Sequence, residues 1–172
     1  GITKVFKFAF AFGESGSSSD ANRDLTAVIF PASSLINIDQ GAFSSLGLTS
    51  VTIPASVHEV GQFAFRNNPL TSATVLGGAS PDGTYLDMGV FSNQAYLLGA
   101  NGQGVPLTLT LGSGQIHVTD YFGSATTFAS IDFGSAITEI GQNAFNSNGI
   151  AAGWIPLFPS TIRTFGPGAF TN

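Results

Sequence analysis

The stretch Leu48-Thr-Ser-Val-Thr-Ile-Pro-Ala-Ser-Val-His-Glu-Val-Gly-Gln-Phe-Ala-Phe65 decides the fold. Its first half alternates apolar and hydroxyl side chains, as a half-buried β-strand does, and its proline ends that strand. Its second half is an apolar cluster that ends in Ala-Phe. The second half recurs as Ile137-Thr-Glu-Ile-Gly-Gln-Asn-Ala-Phe145. A repeated unit of this size predicts a solenoid, in which each coil buries its apolar face against the neighbouring coils.

The strand half recurs along the whole chain at intervals of 22 or 23 residues, except for one interval of 36 between Val75 and Leu111. We expect one inward side chain per strand from the column Phe8, Phe30, Ile53, Val75, Leu111, Phe133 and Ile155. A second inward column is expected at Phe6, Val28, Val51, Ala73, Leu109, Ile131 and Gly153. These columns predict about seven coils that share one parallel sheet.

The residues between the inward columns are expected to point outward, because side chains alternate faces along a strand. The central outward column is Lys7, Ile29, Thr52, Thr74, Thr110, Asp132 and Trp154. A further outward column reads Val5, Ala27, Ser50, Ser72, Thr108, Ser130 and Ala152. On the opposite wall we expect a stack of phenylalanines, namely Phe43, Phe65, Phe91, Phe122, Phe145 and Phe170.

The composition excludes several classes of function. Only 9% of the 172 residues are charged, the net charge is -5, and the five basic residues are scattered rather than gathered on one face. Nucleic acid is therefore not an expected partner, because phosphate binding needs a concentrated cationic surface. No apolar run reaches the length of a membrane helix, so membrane insertion is not expected either. Without cysteine there are no disulfides and no thiolate metal sites.

Both quoted segments resemble the BspA-type leucine-rich repeat, whose pattern is a strand L-x-x-V-x-I-P followed by a hydrophobic-Gly-x-x-Ala-Phe segment. The resemblance implies a right-handed leucine-rich-repeat solenoid with one parallel β-sheet and a mostly irregular or short-helical opposite wall. It also implies a surface or secreted protein of bacteria or protists, often linked to adhesion. We predict a single solenoid domain over 1–172 with an extended coil at about 76–106, as the repeat region of a larger exported protein.

The family frequently places cysteine three residues after the phenylalanine, and this chain departs from that pattern. The position is occupied here by Leu46, Asn68, Gln94, Ala125 and Asn148. An asparagine there is expected to satisfy turn carbonyls and amides within the coil.

Catalytic and metal constellations are weak in this sequence. His58 and His117 have the acidic neighbours Glu59 and Asp120, but the coil spacing places the two histidines about two rungs apart, whereas a metal needs several converging ligands. There is no G-x-S-x-G elbow, and the glycines between Gly99 and Gly104 do not follow a nucleotide-binding pattern. We therefore expect a non-enzymatic protein without cofactors.

The remaining hypotheses concern the outward surface. The first is adhesion or recognition of an extracellular protein or glycan through the sheet face and the long loop. Its candidate ligand-binding residues are Trp154, Asp132, Thr110, Thr74, Thr52, Ile29, Tyr85 and Tyr96. The second is a structural spacer that presents other domains. The third is ice binding through the repeated Ser/Thr columns. Ile29, Asp132 and Trp154 interrupt these columns and argue against it.

Overall fold

The computed structural model of the chain describes residues 1–11, 24–78, 83–92, 106–123, 126–146 and 155–171, and within them the regular structure is eleven short strands with no helix. All strand pairs in the two sheets are parallel. The strands are β1 (Lys4–Val5), β2 (Asn37–Ile38), β3 (Ser50–Ile53), β4 (Glu59–Val60), β5 (Ser72–Val75), β6 (Thr84–Leu86), β7 (Leu107–Leu111), β8 (Ile116–Val118), β9 (Phe128–Asp132), β10 (Glu139–Ile140) and β11 (Thr164–Phe165). The leucine-rich-repeat solenoid class predicted from the sequence is confirmed.

The first sheet has four strands in the order β3-β5-β7-β9, and its register is the one that the sequence predicts. Thr52 pairs with Thr74, Thr74 with Thr110, and Thr110 with Asp132. The predicted inward residues of these strands, such as Val51 and Ile53, are buried. A register shift between Leu107 and Thr108 leaves one extra residue in β9.

The second sheet lies on the wall that the sequence predicted to be mostly irregular or short-helical. It has seven strands of two or three residues in the order β1-β2-β4-β6-β8-β10-β11. In most of these strands one residue is buried and its neighbour points outward, as in Glu59–Val60 and Glu139–Ile140. The solenoid therefore has two parallel sheets rather than one.

The predicted register is wrong at the N-terminal end. Phe6 and Phe8 were expected to point inward from a strand of the first sheet, but they are 68% and 38% exposed. The chain there pairs instead with the second sheet, through Val5 and Ile38. The physical reason is that this segment is an Ala-Phe unit, in which Phe10 stacks on the buried ring of Phe43 at 5.1 Å.

In the second coil the predicted orientation is confirmed, since Val28 and Phe30 are half-buried against the core and Ile29 points outward. Residues 25–30 form no regular strand, although the carbonyls of Leu25 and Thr26 accept backbone hydrogen bonds from Gly47 and Thr49. The prediction fails in the last coil. Ile155, expected inward, is 77% exposed and lies outside any strand. Among the described residues, the strands of four middle coils form the first sheet.

The expected phenylalanine stack is confirmed and is longer than expected. Successive ring centroids lie 5.0 to 5.9 Å apart from one end of the series to the other. The series, called the phenylalanine spine here, is Phe10, Phe43, Phe65, Phe91, Phe122, Phe145 and Phe170. Its five middle rings, from Phe43 to Phe145, are among the largest side chains of the core and are at most 2% exposed.

A left-handed backbone position precedes the spine residue in most coils, and bulky side chains alternate there with glycine. Phe63 has a φ of 58° and the next coil has Gly89 with a φ of 61°. A Cβ at Gly89 would lie 2.5 Å from the Phe63 ring. Phe8 covers Gly41 and Asn143 covers Gly168 in the same way. Phe8, Phe63 and Asn143 are thus each followed by a glycine in the next coil, whereas Tyr121, which has a φ of 56°, is followed by Asn143.

Candidate binding surfaces

The outward side of the first sheet is a regular array of hydroxyl groups, and we call it the hydroxyl face. Its residues are Ser50, Ser72, Thr108 and Ser130 in one column and Thr52, Thr74, Thr110 and Asp132 in the other. Thr52 and Asp132 are exposed, whereas Thr74 and Thr110 are half-buried between their neighbours. The Asp132 carboxylate accepts a hydrogen bond of 3.0 Å from the amide of Gly134, so it also shapes the turn after β9.

An apolar edge borders the hydroxyl face. Ile29 is 95% exposed, and Leu76, which follows β5, is 44% exposed. Together with Thr52 and Pro54 they line a cavity of about 430 Å³. Two of the predicted ligand-binding residues, Ile29 and Thr52, are thus brought together at one end of the sheet.

The other predicted ligand-binding residues have different outcomes. Trp154 and Tyr96 lie outside the described residues. Tyr85 was expected in a long loop, but it lies in β6 of the second sheet, on the opposite side from the hydroxyl face. The extended coil at about 76–106 therefore contains one ordinary rung, made of β6 and Phe91.

Tyr85 is at the centre of a groove that the sequence did not predict as a site. Its ring is parallel to the ring of His117 on the next strand, with centroids 4.2 Å apart and an interplanar angle of 10°. A cavity of about 380 Å³ lies on one side of the pair, lined in part by Asn37, Glu59 and Tyr85. A cavity of about 560 Å³ is lined in part by His117, Tyr85 and Glu139. The two cavities share Tyr85, Asp87 and Thr119, and we call them together the Tyr85 groove.

Carboxylates surround the aromatic pair. The residues that line the Tyr85 groove include Glu59, Asp87, Asp120 and Glu139, and no lysine or arginine is among them. Glu59 accepts a hydrogen bond of 3.1 Å from the amide of Asn37, so its carboxylate leans away from Tyr85. Asp87 and Asp120 each use one oxygen to accept a backbone amide, from Met88 and Gln142 respectively.

The groove residues are not arranged as metal ligands. Among the described residues, no three histidine, aspartate or glutamate side chains come together as metal ligands do. His58 precedes β4 and His117 lies in β8, with β6 between these strands, which is the two-rung separation that the sequence predicted. In the part of the chain that the structure describes, no helix has the length and apolar character of a membrane span.

A faint sequence signal for this groove exists. Most coils have a polar or aromatic residue directly before the buried residue that begins the Ala-Phe segment, as in Glu59-Val60, Tyr85-Leu86 and His117-Val118. The parallel register turns these residues into one outward column. Strands of two residues have no periodicity to reveal them in the sequence, so the column becomes visible only in the structure.

The two sheets, the stacked rungs and the repeated Ala-Phe segments define the chain as a parallel β-solenoid built of leucine-rich repeats. The family model of the BspA type leucine rich repeat region matches residues 16–98 and 109–172 in six copies. The chain belongs to this family, whose members are repeat proteins that are often surface-associated and typically non-enzymatic. No curated protein and no solved structure matched the chain.

Proposed function

We propose that this chain is a non-enzymatic recognition module that binds an extracellular protein or glycan at the cell surface. Its first binding surface is the hydroxyl face with the apolar edge at Ile29, and the sequence adds the long coil and Trp154 as further candidates. The observation that carries the proposal is the exposure of Ile29 and Leu76 beside the 430 Å³ cavity. Exposed apolar side chains next to a fixed polar array are typical of binding surfaces, whereas a spacer needs only a polar exterior.

The register of the sheet supports the same proposal. Thr52, Thr74 and Thr110 are held at the fixed spacing of parallel strands, which is about 4.8 Å. Because each strand is hydrogen-bonded to its neighbours, little conformational entropy remains to be lost when a ligand binds. A preformed array of this kind suits the hydroxyl groups and apolar faces of proteins and of glycans.

The test is a binding screen on immobilised extracellular-matrix proteins and glycans. Wild type is compared with Ile29→Ser, with Trp154→Ala and with a variant shortened within 93–105. Ile2→Ser is the matched control, since Ile2 is also exposed and precedes β1 of the other sheet. Saturable binding that Ile29→Ser or Trp154→Ala weakens at least tenfold supports the proposal. A folded protein that binds none of the ligands would favour the structural spacer instead.

A further inference from the structure

We infer that the Tyr85 groove binds an arginine-bearing segment of a partner protein. This inference concerns the second sheet and is independent of the function proposed for the hydroxyl face. It rests on three features of the groove, namely the ring pair of Tyr85 and His117, the cavity on each side of that pair, and the charge of the lining residues.

The ring pair offers its outer faces to a ligand. At a centroid separation of 4.2 Å the two rings are in contact, so nothing fits between them. Tyr85 is nevertheless 45% exposed, and Glu59 on the preceding strand leans toward Asn37. The 380 Å³ cavity is therefore lined both by the tyrosine ring and by the Glu59 carboxylate.

A guanidinium group matches this environment better than other side chains do. It is planar and stacks on aromatic faces, and its fork of N–H donors pairs with carboxylates. Glu59 and Asp87 line the cavity on the Tyr85 side, whereas Asp120 and Glu139 line the larger one around His117. An arginine side chain in either cavity finds a ring to stack on and acidic groups to pair with.

Charge complementarity selects a cationic partner. The lining residues of the two cavities contribute four carboxylates and no lysine or arginine. Lys7 lines a third cavity together with Glu59 and Asp87, so the chain's own positive charge lies near the Tyr85 side of the groove, and Asp120 and Glu139 line the other side. A neutral glycan would gain from the rings but would leave these carboxylates without a charged partner.

The ring pair sets the spacing of the arginines. The ring centroids of Tyr85 and His117 lie 4.2 Å apart, so two guanidinium groups stacked on the outer faces, each about 3.5 to 4 Å from its ring, are separated by roughly 11 to 12 Å. In a polyproline II segment residues three apart lie on one face at about 9.3 Å. An Arg-x-x-Arg segment in this conformation places one guanidinium on each side of the ring pair.

The experiment is an NMR titration of the isotope-labelled protein with three peptides blocked at both ends. They are Arg-Pro-Pro-Arg, Lys-Pro-Pro-Lys, and a neutral analogue of the first in which citrulline replaces both arginines. We expect saturable shifts at Tyr85, His117 and Glu139, weaker binding of the lysine peptide, and none of the neutral citrulline peptide. Equal binding of the citrulline peptide, or no saturable shift with the arginine peptide, would overturn the inference. Saturation by a neutral oligosaccharide in preference to the arginine peptide would overturn it as well.

Two variants locate the site. The first is Tyr85→Thr, which keeps a strand-favouring side chain. The second is the double variant Glu59→Gln with Glu139→Gln, which removes two charges from the exposed column. Each is expected to weaken binding of the arginine peptide at least tenfold. Asp132→Asn removes a carboxylate from the hydroxyl face and is the matched control. A loss of binding as large in Asp132→Asn as in the groove variants would show only a response to net charge, and the site would be wrong. The double variant decides the outcome should Tyr85→Thr not fold.

Discussion

Asn68 shows how one buried amide connects successive coils. Its side-chain nitrogen donates to the carbonyls of Phe43 and Phe65 at 2.8 and 2.9 Å, and its side-chain oxygen accepts from the amide of Leu48 at 3.2 Å. The sequence predicted this role from the position of Asn68 three residues after the phenylalanine. The structure confirms it and adds that two of these partners lie in the preceding coil.

Replacement of Asn68 by alanine is expected to lower the free energy of unfolding by about 3 kcal/mol. Each buried polar group that loses its partner costs roughly 1 to 3 kcal/mol, and several would be orphaned at once. Urea denaturation measures the change, with Asn37→Ala as the control because Asn37 is only partly buried and bonds to the exposed Glu59. A loss below that of the control would mean that water replaces the amide.

Gly89 permits a test of the alternating left-handed column. Alanine at this position is expected to destabilise by about 2 to 4 kcal/mol, since the backbone has a positive φ and the new Cβ would meet the Phe63 ring. In a Phe63→Gly background the steric part disappears, so the same substitution should cost less. A double-mutant cycle by denaturant unfolding measures the coupling. Additive effects would contradict the contact.

At the scale of the elements, the phenylalanine spine dominates the core. Phe65 is fully buried and lies between Phe43 and Phe91, whereas Phe10 is 53% exposed and stacks on Phe43 with one face. Phe65→Ala is therefore expected to cost about 3 to 5 kcal/mol, and Phe10→Ala less than half of that. Thermal and urea unfolding of both variants provide the measurement. Similar losses at the two positions would show that the first coil packs as tightly as the middle ones.

The register of the first sheet was predictable because its strands alternate apolar and hydroxyl residues over four or five positions. The register of the first coil was not predictable, because Val5-Phe-Lys-Phe-Ala-Phe10 fits both the pattern of a strand and the pattern of an Ala-Phe segment. Comparison with Val60-Gly-Gln-Phe-Ala-Phe65 identifies it as an Ala-Phe segment, and the hydrogen bond from the Phe10 amide to the Ala42 carbonyl agrees. The Tyr85 groove was not predicted, because the extra residues of the long coil separate Tyr85 from His117 by more than one repeat length and their pairing cannot be read from the sequence interval.

At the scale of the whole molecule, stability is expected to vary along the solenoid. Coils in a repeat protein contact their neighbours only, so a coil with a neighbour on each side is held more strongly than one with a single neighbour. Within the described residues β1 and β11 have one hydrogen-bonded neighbour each, and β5 and β7 have two.

Hydrogen exchange followed by mass spectrometry tests this expectation. Amides of β5 and β7 should exchange more slowly than those of β1 and β11, because opening a central rung breaks contacts on both sides. Phe65→Ala should accelerate exchange most in the coils next to it. Uniform protection along the chain would indicate a single cooperative unit instead.

The alternation of bulky residue and glycine before the spine restricts how the copy number of the coils can change. Removal of the coil that carries Gly41 would bring Phe8 against Phe63, whose Cβ would then enter the space that the Phe8 ring fills over Gly41. Removal of two coils together would bring Phe8 against Gly89 and restore the fit. Duplication or loss of coils by recombination is therefore expected to proceed in pairs in the N-terminal half of the solenoid, while the succession of Tyr121 and Asn143 places no such limit on the coils that carry them.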